Sequence, residues 1–360
     1  MKKTIAIILT VLMAVALFTA CSSQTAEESA SASETASSEA PAATESEAAA
    51  SEDTGSTGDY AYELGVIQPG PEAYYQNYAD SVTAAAESVG MTVTTLLSQY
   101  SAETEIANVE DLISRGVDAI ACFSTSSDTA QIDAQLCNEA NIPLFLMSST
   151  AAEGEGVPAC TIGNSFYDMG KLDGDWLNDN FEGSAKILEI QGQLGQGIAE
   201  EISRGFADGI AANSDFEIVS QNTANWKRDE AISLTEDALS SGLDFNVIFV
   251  HNEDMCAGVI NVLEENDMLG TISVITQNGS DVGIELIQDG KVLATCANPP
   301  SQVGGDVVVQ IMKYFDGEEI PEVFDSPVFM IDASNVNDPD LVTWDKKWAI
   351  ARVDEYLASK

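Results

Sequence analysis

From Tyr60 onward, short apolar runs and amphipathic stretches take turns along the chain. Tyr62 to Ile67 has the pattern of a strand closed by Gln68-Pro69-Gly70-Pro71. Tyr74, Tyr78, Val82, Ala85 and Val89 then recur at helical spacing until Gly90 stops them. Met91 to Leu97 is a second strand. Ile106, Val109, Leu112 and Ile113 form the next helical stripe, closed by Arg115-Gly116. A helix over Asp128 to Ala140 lies between strands at Val117 to Phe123 and Leu144 to Met147. The rhythm restarts at Thr161. Strands are expected at Ala185 to Gln191, Phe216 to Gln221, Val247 to Val250, Ile272 to Thr276 and Val292 to Ala297, with helices between them. Asp306 to Phe315 is the last long helix of the pattern. Such alternation predicts an α/β fold of two Rossmann-like lobes with parallel sheets. Ligands of open parallel sheets bind beyond the carboxyl ends of the strands.

The first 58 residues follow a different logic. Lys2 and Lys3 precede an uncharged run from Ile5 to Ala20, the layout of a secretory signal. The run is short for a bilayer span of ~20 residues. It ends in Phe18-Thr19-Ala20-Cys21, which resembles a bacterial lipobox whose cysteine takes the lipid. Phe18 departs from the usual aliphatic residue there. Residues 22–58 contain no Leu, Ile, Val or aromatic side chain. A segment of that composition cannot offset the entropy of ordering and is expected to be a disordered tether. The expected division is therefore a signal peptide at 1–20 and a lipidated Cys21 with its tether at 21–58.

Composition narrows the chemistry. The 360 residues hold 14 Lys plus Arg against 59 Asp plus Glu, a net charge of −45. Such a surface repels phosphate backbones, so no nucleic-acid partner is expected. A single histidine, His251, removes multi-histidine metal sites. It follows the Val247 strand directly and reads as a loop-edge residue. The five cysteines after Cys21 make no CxxC pair. Gly192 to Gly197 follows a strand and opens a helix, but a third glycine of GxGxxG would fall on Glu200, and neither GKS nor GKT occurs. No GxSxG elbow is present. Glu253-Asp254 reads as a helix-start pair complementing the dipole. No enzyme activity, metal or cofactor is expected.

Aromatic and amide side chains do recur after successive strands: Tyr74-Tyr75, Asn222, Asn225-Trp226, Asn252, Gln277-Asn278 and Asn298. Amides donate and accept together, which suits hydroxyl groups. Flat aromatic faces suit the C–H faces of a sugar ring.

Residues 60–331 resemble the type I periplasmic sugar-binding proteins, particularly the ribose-binding group. The resemblance rests on Asn108 to Ile120, Ala140-Asn141-Ile142-Pro143, Leu188 to Gly192, Asn252 to Gly258 and Gly290 to Thr295, in that order and spacing. It implies two lobes joined by three strands, closing on a ligand and delivering it to an ABC permease. The lobes are then expected at 59–149 plus 299–329 and at 150–298 plus 330–360. It also implies that Tyr74 and Tyr75 grip the ligand ring, with Trp226, Asn252 and Asn298 opposite or beside them. The family's charged positions are not matched. Its acidic slot falls near Ser126, with Asp128 two residues on; the hinge Asp-Arg pair is Ser148-Ser149. The arginine slot is Ile202, with Arg204 displaced, and the Asp-Gly turn is Asn278-Gly279. A buried charge without its partner is costly, so loss of the acids and the arginine together implies a neutral pocket whose binding is insensitive to pH. The expected protein is a monomeric, lipid-anchored extracytoplasmic receptor for a neutral polyhydroxy compound. The competing expectation is a sensory protein of the same fold that presents a non-sugar ligand to a membrane receptor.

Overall fold

The computed structural model describes residues 60–195 and 197–360, so the expectations for Cys21 and residues 1–58 lie outside it. The first sheet takes β1 (Glu63–Gln68), β2 (Thr92–Leu97), β3 (Ala119–Cys122), β4 (Leu144–Met147) and β5 (Cys160–Gly163). Between them run α1 (Ala73–Ser88), α2 (Ala102–Arg115) and α3 (Ser127–Ala140). The second sheet takes β6 (Ala185–Gln191), β7 (Phe216–Thr223), β8 (Val247–Val250), β9 (Ser273–Asn278) and β10 (Ala294–Ala297). Its helices are α4 (Phe166–Asn180), α5 (Ile198–Ile210), α6 (Arg228–Ser241), α7 (Glu253–Glu265) and α8 (Asp281–Gln288). The chain then adds α9 (Pro300–Phe315) and β11 (Val323–Asp325) to the first lobe, β12 (Phe329–Asp332) to the second, and ends in α10 (Lys347–Ala358).

Strand order is β11-β5-β4-β3-β1-β2 in one sheet and β12-β10-β9-β8-β6-β7 in the other. All pairs of named strands are parallel except β10 with β12. Both faces of each sheet are buried, so strand side chains divide by parity. Leu64, Val66, Ala119, Ala121, Phe145 and Met147 meet α1 and α9, whereas Ile67, Ile120, Cys122, Leu144 and Leu146 meet α2 and α3. In the second lobe Leu188, Ile190, Ile248 and Val250 face α6 and α7, while Ile187, Val247 and Phe249 face α4 and α5. Helix ends follow local chemistry. The Ser101 hydroxyl accepts from the Thr104 amide at 3.2 Å to open α2, and Gly116 closes it at φ 76°.

The lobes divide differently from the sequence expectation in two places. The first crossing lies after Gly163, not at Ser149, because β5 pairs with β4 through Phe145 and Cys160. The segment 330–360 also does not stay on the second lobe. Its helix α10 docks on α9 and α1 of the first, where Ala349 and Val353 are fully buried. Arg352 Nε and Nη2 both donate to Asp306 Oδ1, at 2.9 and 2.7 Å, which fixes that docking. Besides the crossings at 164–165, 298–299 and 326–328, the chain therefore makes a fourth over residues 333–346.

The helices α4 and α5 approach through glycines. A Cβ on Gly205 would lie 1.9 Å from the Tyr167 carbonyl oxygen, and one on Gly170 would lie 2.0 Å from that of Ile202. Both obstacles are backbone and have no rotamer to retreat into. Gly205→Ala is expected to destabilise the protein by about 1–3 kcal/mol through overpacking, read as a lower midpoint in urea. An unchanged midpoint would show that the two helices can part freely.

Candidate functional site

The carboxyl ends of both sheets converge at Asn298, the first residue after β10. Its side chain is 3 % exposed, and its Nδ2 donates to Tyr74 Oη at 3.4 Å. Its Oδ1 is buried without a hydrogen-bond partner. A bare buried acceptor costs about 1–3 kcal/mol unless something fills it. Tyr74 packs edge-on against Tyr75, Tyr78 and Trp344, and the Tyr78 hydroxyl reaches Ser148 Oγ at 3.4 Å. Thus Tyr74, Ser148 and Asn298 belong to one contiguous cluster, with Tyr75 beside them against Phe123.

Trp226 is held on the second lobe. A Cβ on Gly192 would lie 2.1 Å from its ring, so the glycine gives the indole its seat. Beneath that loop lies a buried polar network. His251 Nε2 meets Glu189 Oε1 at 2.8 Å, Gln221 Nε2 donates to Glu189 Oε2 at 2.7 Å, and Ser203 donates to the same carboxylate. The Gly192 amide donates to His251 Nδ1 at 3.3 Å, so Nε2 carries the proton that faces Glu189. Burial alone would raise the Glu189 carboxyl, but the bonds from His251, Gln221 and Ser203 bring it below its ordinary range. His251 is thus a buried support for the Trp226 loop rather than a loop-edge residue.

Two expected ligand residues spend part of their polarity on helix starts. Ser126 Oγ accepts from the Thr129 amide at 3.1 Å and bonds Thr129 Oγ1 at 2.7 Å. Asn252 Oδ1 accepts from the Met255 amide at 2.8 Å, which leaves its Nδ2 for other contacts. Arg204 lies on the exposed face of α5, paired with Glu201 and over the Tyr167 ring at 4.1 Å. Asp128 is exposed in the first turn of α3.

Asn278, at the end of β9, has φ 128°. Ser148 (φ 45°), Asn225 (52°) and Trp226 (64°) share the left-handed region at other strand ends. Such conformations cost about 1–3 kcal/mol each and gather at sites that need a fixed geometry. The Asn278 turn is held from below by a residue that the sequence reading left as a helix-start acid. Glu253 is turned inward. Its Oε1 accepts from the Gly279 amide at 2.8 Å and Thr295 Oγ1 at 2.7 Å, and its Oε2 from the Ser280 amide at 2.8 Å. Only Asp254 takes the surface role, pairing with Arg228 at 2.7 Å. Two more site neighbours escaped the sequence reading. Glu72 precedes α1 and accepts from the Tyr100 hydroxyl, and the Tyr100 ring packs against Tyr75 at 6.3 Å. Their chain separation hid the contact.

Among the described residues, one trio has metal-compatible spacing: Glu105, Cys122 and Asp133, with donor atoms within 4.8 Å. Burial, then the bond and charge of Glu105, push Asp133 up to about 8. Cys122 is likewise pushed well up by burial. All five described thiols are buried.

Two α/β lobes whose facing strand ends carry aromatics, amides and an orphaned buried acceptor define a bilobal small-molecule binding protein. Residues 64–319 match the family described as a periplasmic binding protein domain. The chain belongs to that family, among the type I sugar-binding proteins of ABC transporters, which are solute-binding proteins and not enzymes. The ribose import binding protein RbsB of Escherichia coli is 28% identical over 247 residues, covering 69% of this chain and 82% of that protein. The xylitol-binding protein of Mycolicibacterium smegmatis is 26% identical, covering 53% and 54%. Among solved structures, an ABC transporter solute-binding protein from Bacillus halodurans with bound myo-inositol has TM-score 0.71 at 23% identity, covering 79% of this chain and 98% of that one. One from Actinobacillus succinogenes with bound D-allose has TM-score 0.71 at 20% identity, covering 77% and 99%.

The Glu253 carboxyl adds a pH dependence that the neutral-pocket reading did not contain. Burial raises it from 4.5 to about 7, against the opposing bonds from Ser280, Thr295 and Gly279. A raised folded-state value means that this group's stabilisation is complete below about pH 4.5 and is lost as pH rises through about 7. Glu253→Gln should remove that part of the pH slope. It should also lower overall stability, because the amide cannot accept from both sides. Urea unfolding of both proteins at pH 5, 6, 7 and 8 checks this. Parallel slopes would contradict it.

Proposed function

We propose that this chain is an extracytoplasmic, lipid-anchored receptor of an ABC importer. Its ligand is a sugar or related neutral polyhydroxy compound, taken up by closure of the lobes. The observation that carries this reading is Asn298 Oδ1, a buried acceptor without a partner beside the Tyr74 ring. Gln68 Oε1, Thr125 Oγ1 and Asn164 Oδ1 are orphaned in the same way at the ends of β1, β3 and β5. Hydroxyl groups of a polyol satisfy such acceptors, and the rings supply an apolar face. The relatives are in keeping, since ribose, xylitol, D-allose and myo-inositol are neutral polyols or sugars. Glu72 beside the aromatic pair and the −45 charge both disfavour an anionic ligand. Tyr74, Tyr75, Ser148, Trp226, Asn252, Asn278 and Asn298 are assigned to the ligand; Ser126 contributes chiefly by capping α3. The anchor is Cys21, residues 22–58 are the tether, the working form is a monomer, and the membrane partner is a permease.

Native mass spectrometry of the recombinant protein from residue 22 should show a co-purifying neutral polyhydroxy compound. An anionic or aromatic passenger would overturn the ligand class. With that compound in calorimetry, Trp226→Ala should weaken binding more than Asn252→Ala, because an aromatic face carries more than one neutral hydrogen bond at about 0.5–1.5 kcal/mol. Normal binding by the tryptophan variant would place Trp226 outside the cleft.

Cys21→Ser should move the full chain from the membrane to the soluble fraction while its urea midpoint stays unchanged. Retention in the membrane would replace the lipid anchor with a spanning one.

A further inference from the structure

The fourth crossing carries a tryptophan that touches both lobes. Residues 333–346 begin on the second lobe, where Val336 and Leu341 join its core and Gln288 Nε2 donates to Asn337 Oδ1 at 3.1 Å. They end on the first. There the Thr343 carbonyl accepts from Ser301 Oγ, and the Trp344 carbonyl accepts from Asn77 Nδ2 at 2.9 Å. Between these anchorages the Trp344 ring meets Tyr74 at 5.6 Å and 70°. Its Nε1 donates to the Asn278 carbonyl oxygen at 3.2 Å. One side chain thus links an aromatic of the first lobe with the strained turn of the second. The segment lies beyond residues 64–319, the part that matches the family.

We propose that Trp344 is a positioning residue for ligand recognition: its indole N–H holds the Asn278 turn while its ring backs Tyr74, so that the C-terminal crossing sets both the spacing of the lobes and the affinity of the cleft. Two physical arguments support the assignment. Asn278 sits at φ 128°, a sparsely populated backbone conformation that surrounding bonds must maintain. Glu253 holds the amides of Gly279 and Ser280 that follow it, and the Asn278 carbonyl accepts from two donors, the Asn298 amide at 3.3 Å and Trp344 Nε1 at 3.2 Å, of which Trp344 is the one side chain anchored on the first lobe. Moreover, a bond from a first-lobe anchorage to a second-lobe turn changes length when the lobes rotate about the shorter crossings. Under this proposal, opening of the cleft stretches or breaks this bond and closure keeps it. The ligand part of the proposal rests on the reading of the cleft given above.

The test separates the two. Gln135→Cys on α3 and Glu236→Cys on α6, both exposed, take spin labels for a distance measurement across the lobes. The five described native thiols are buried and stay unlabelled. Without added ligand, Trp344→Phe keeps a ring against Tyr74 but removes the N–H, and the distance distribution should broaden toward longer separations. Trp344→Ala should broaden it further. Urea midpoints of all three proteins show whether folding is intact, and the phenylalanine variant carries the test if the alanine variant fails to fold. A distribution unchanged in Trp344→Phe overturns the bridging role. D-ribose, myo-inositol and D-allose are then added as probes. For any probe that shortens the distance in the wild type, Trp344→Phe should bind it about two- to tenfold more weakly, the range for one neutral hydrogen bond. Equal affinity would overturn the positioning role. If no probe shortens the wild-type distance, the ligand-class reading fails, while the ligand-free comparison still decides the bridge.

Discussion

A parallel sheet buried on both faces imposes the constraint on which this structure depends. Consecutive parallel strands of one sheet are joined by crossovers, helices throughout except for the loop 148–159 between β4 and β5, so the carboxyl ends of the parallel strands fall on one side of each sheet. With two such sheets in one chain, the ends of β1, β3, β4 and β5 form one lip and those of β6, β7, β8, β9 and β10 another. The crossings between lobes leave and enter at these ends, which brings Asn298 against Tyr74. No separate device is needed to assemble the site, since connectivity gathers residues more than two hundred positions apart.

What occupies that edge follows from the cost of burying polar groups. The interior tolerates Glu189, Glu253, Asp173 and Asp306 because each receives hydrogen bonds, from His251, Thr295, Gln277 and Ser326 among others. Burial still raises Glu253, Asp173 and Asp306. These acids act on the site from beneath: Glu189 through His251 on the Gly192 loop, Glu253 on the Asn278 turn. At the edge itself the acceptors of Asn298, Gln68, Thr125 and Asn164 stay unmatched. Interior acceptors such as Asp173 Oδ1 and Gln277 Oε1 are unmatched too, so it is the position of the edge group beside the aromatics, and not the lack of a partner alone, that suits a ligand.

The C-terminal segment gives the molecule a fourth link between lobes. Arg352 and Asp306, with Ala349 and Val353 packed on α1 and α9, hold α10 to the first lobe. That docking returns the chain across the cleft after β12 and places Trp344 where both lobes meet. An ordinary surface helix, amphipathic and charged on its outer face, thereby determines the path of the segment before it.

The strand and helix pattern was legible from Tyr60 to Phe315 because periodicity is local. Strands buried on both faces are continuous apolar runs, and the helices between them carry stripes ended by residues such as Gly116 and Asn141. The candidate aromatics and amides were legible for the same reason, as residues directly after strand ends. Which lobe β5 joins was not, since the four residues Cys160–Gly163 take their place only by pairing with β4 on one side and with β11, remote along the chain, on the other. Neither was the inward turn of Glu253, for the same two residues, Glu253-Asp254, fit a surface helix start until β9 and β10 are packed beside them. Trp344 carried no signal at all: a single indole in a polar stretch acquires meaning only when α10 docks. Local spacing determines elements because a helix or strand is built from neighbours. Register between lobes, hydrogen bonds to buried acids and contacts across the cleft are determined by tertiary packing, because each joins groups that are close only after the chain has folded.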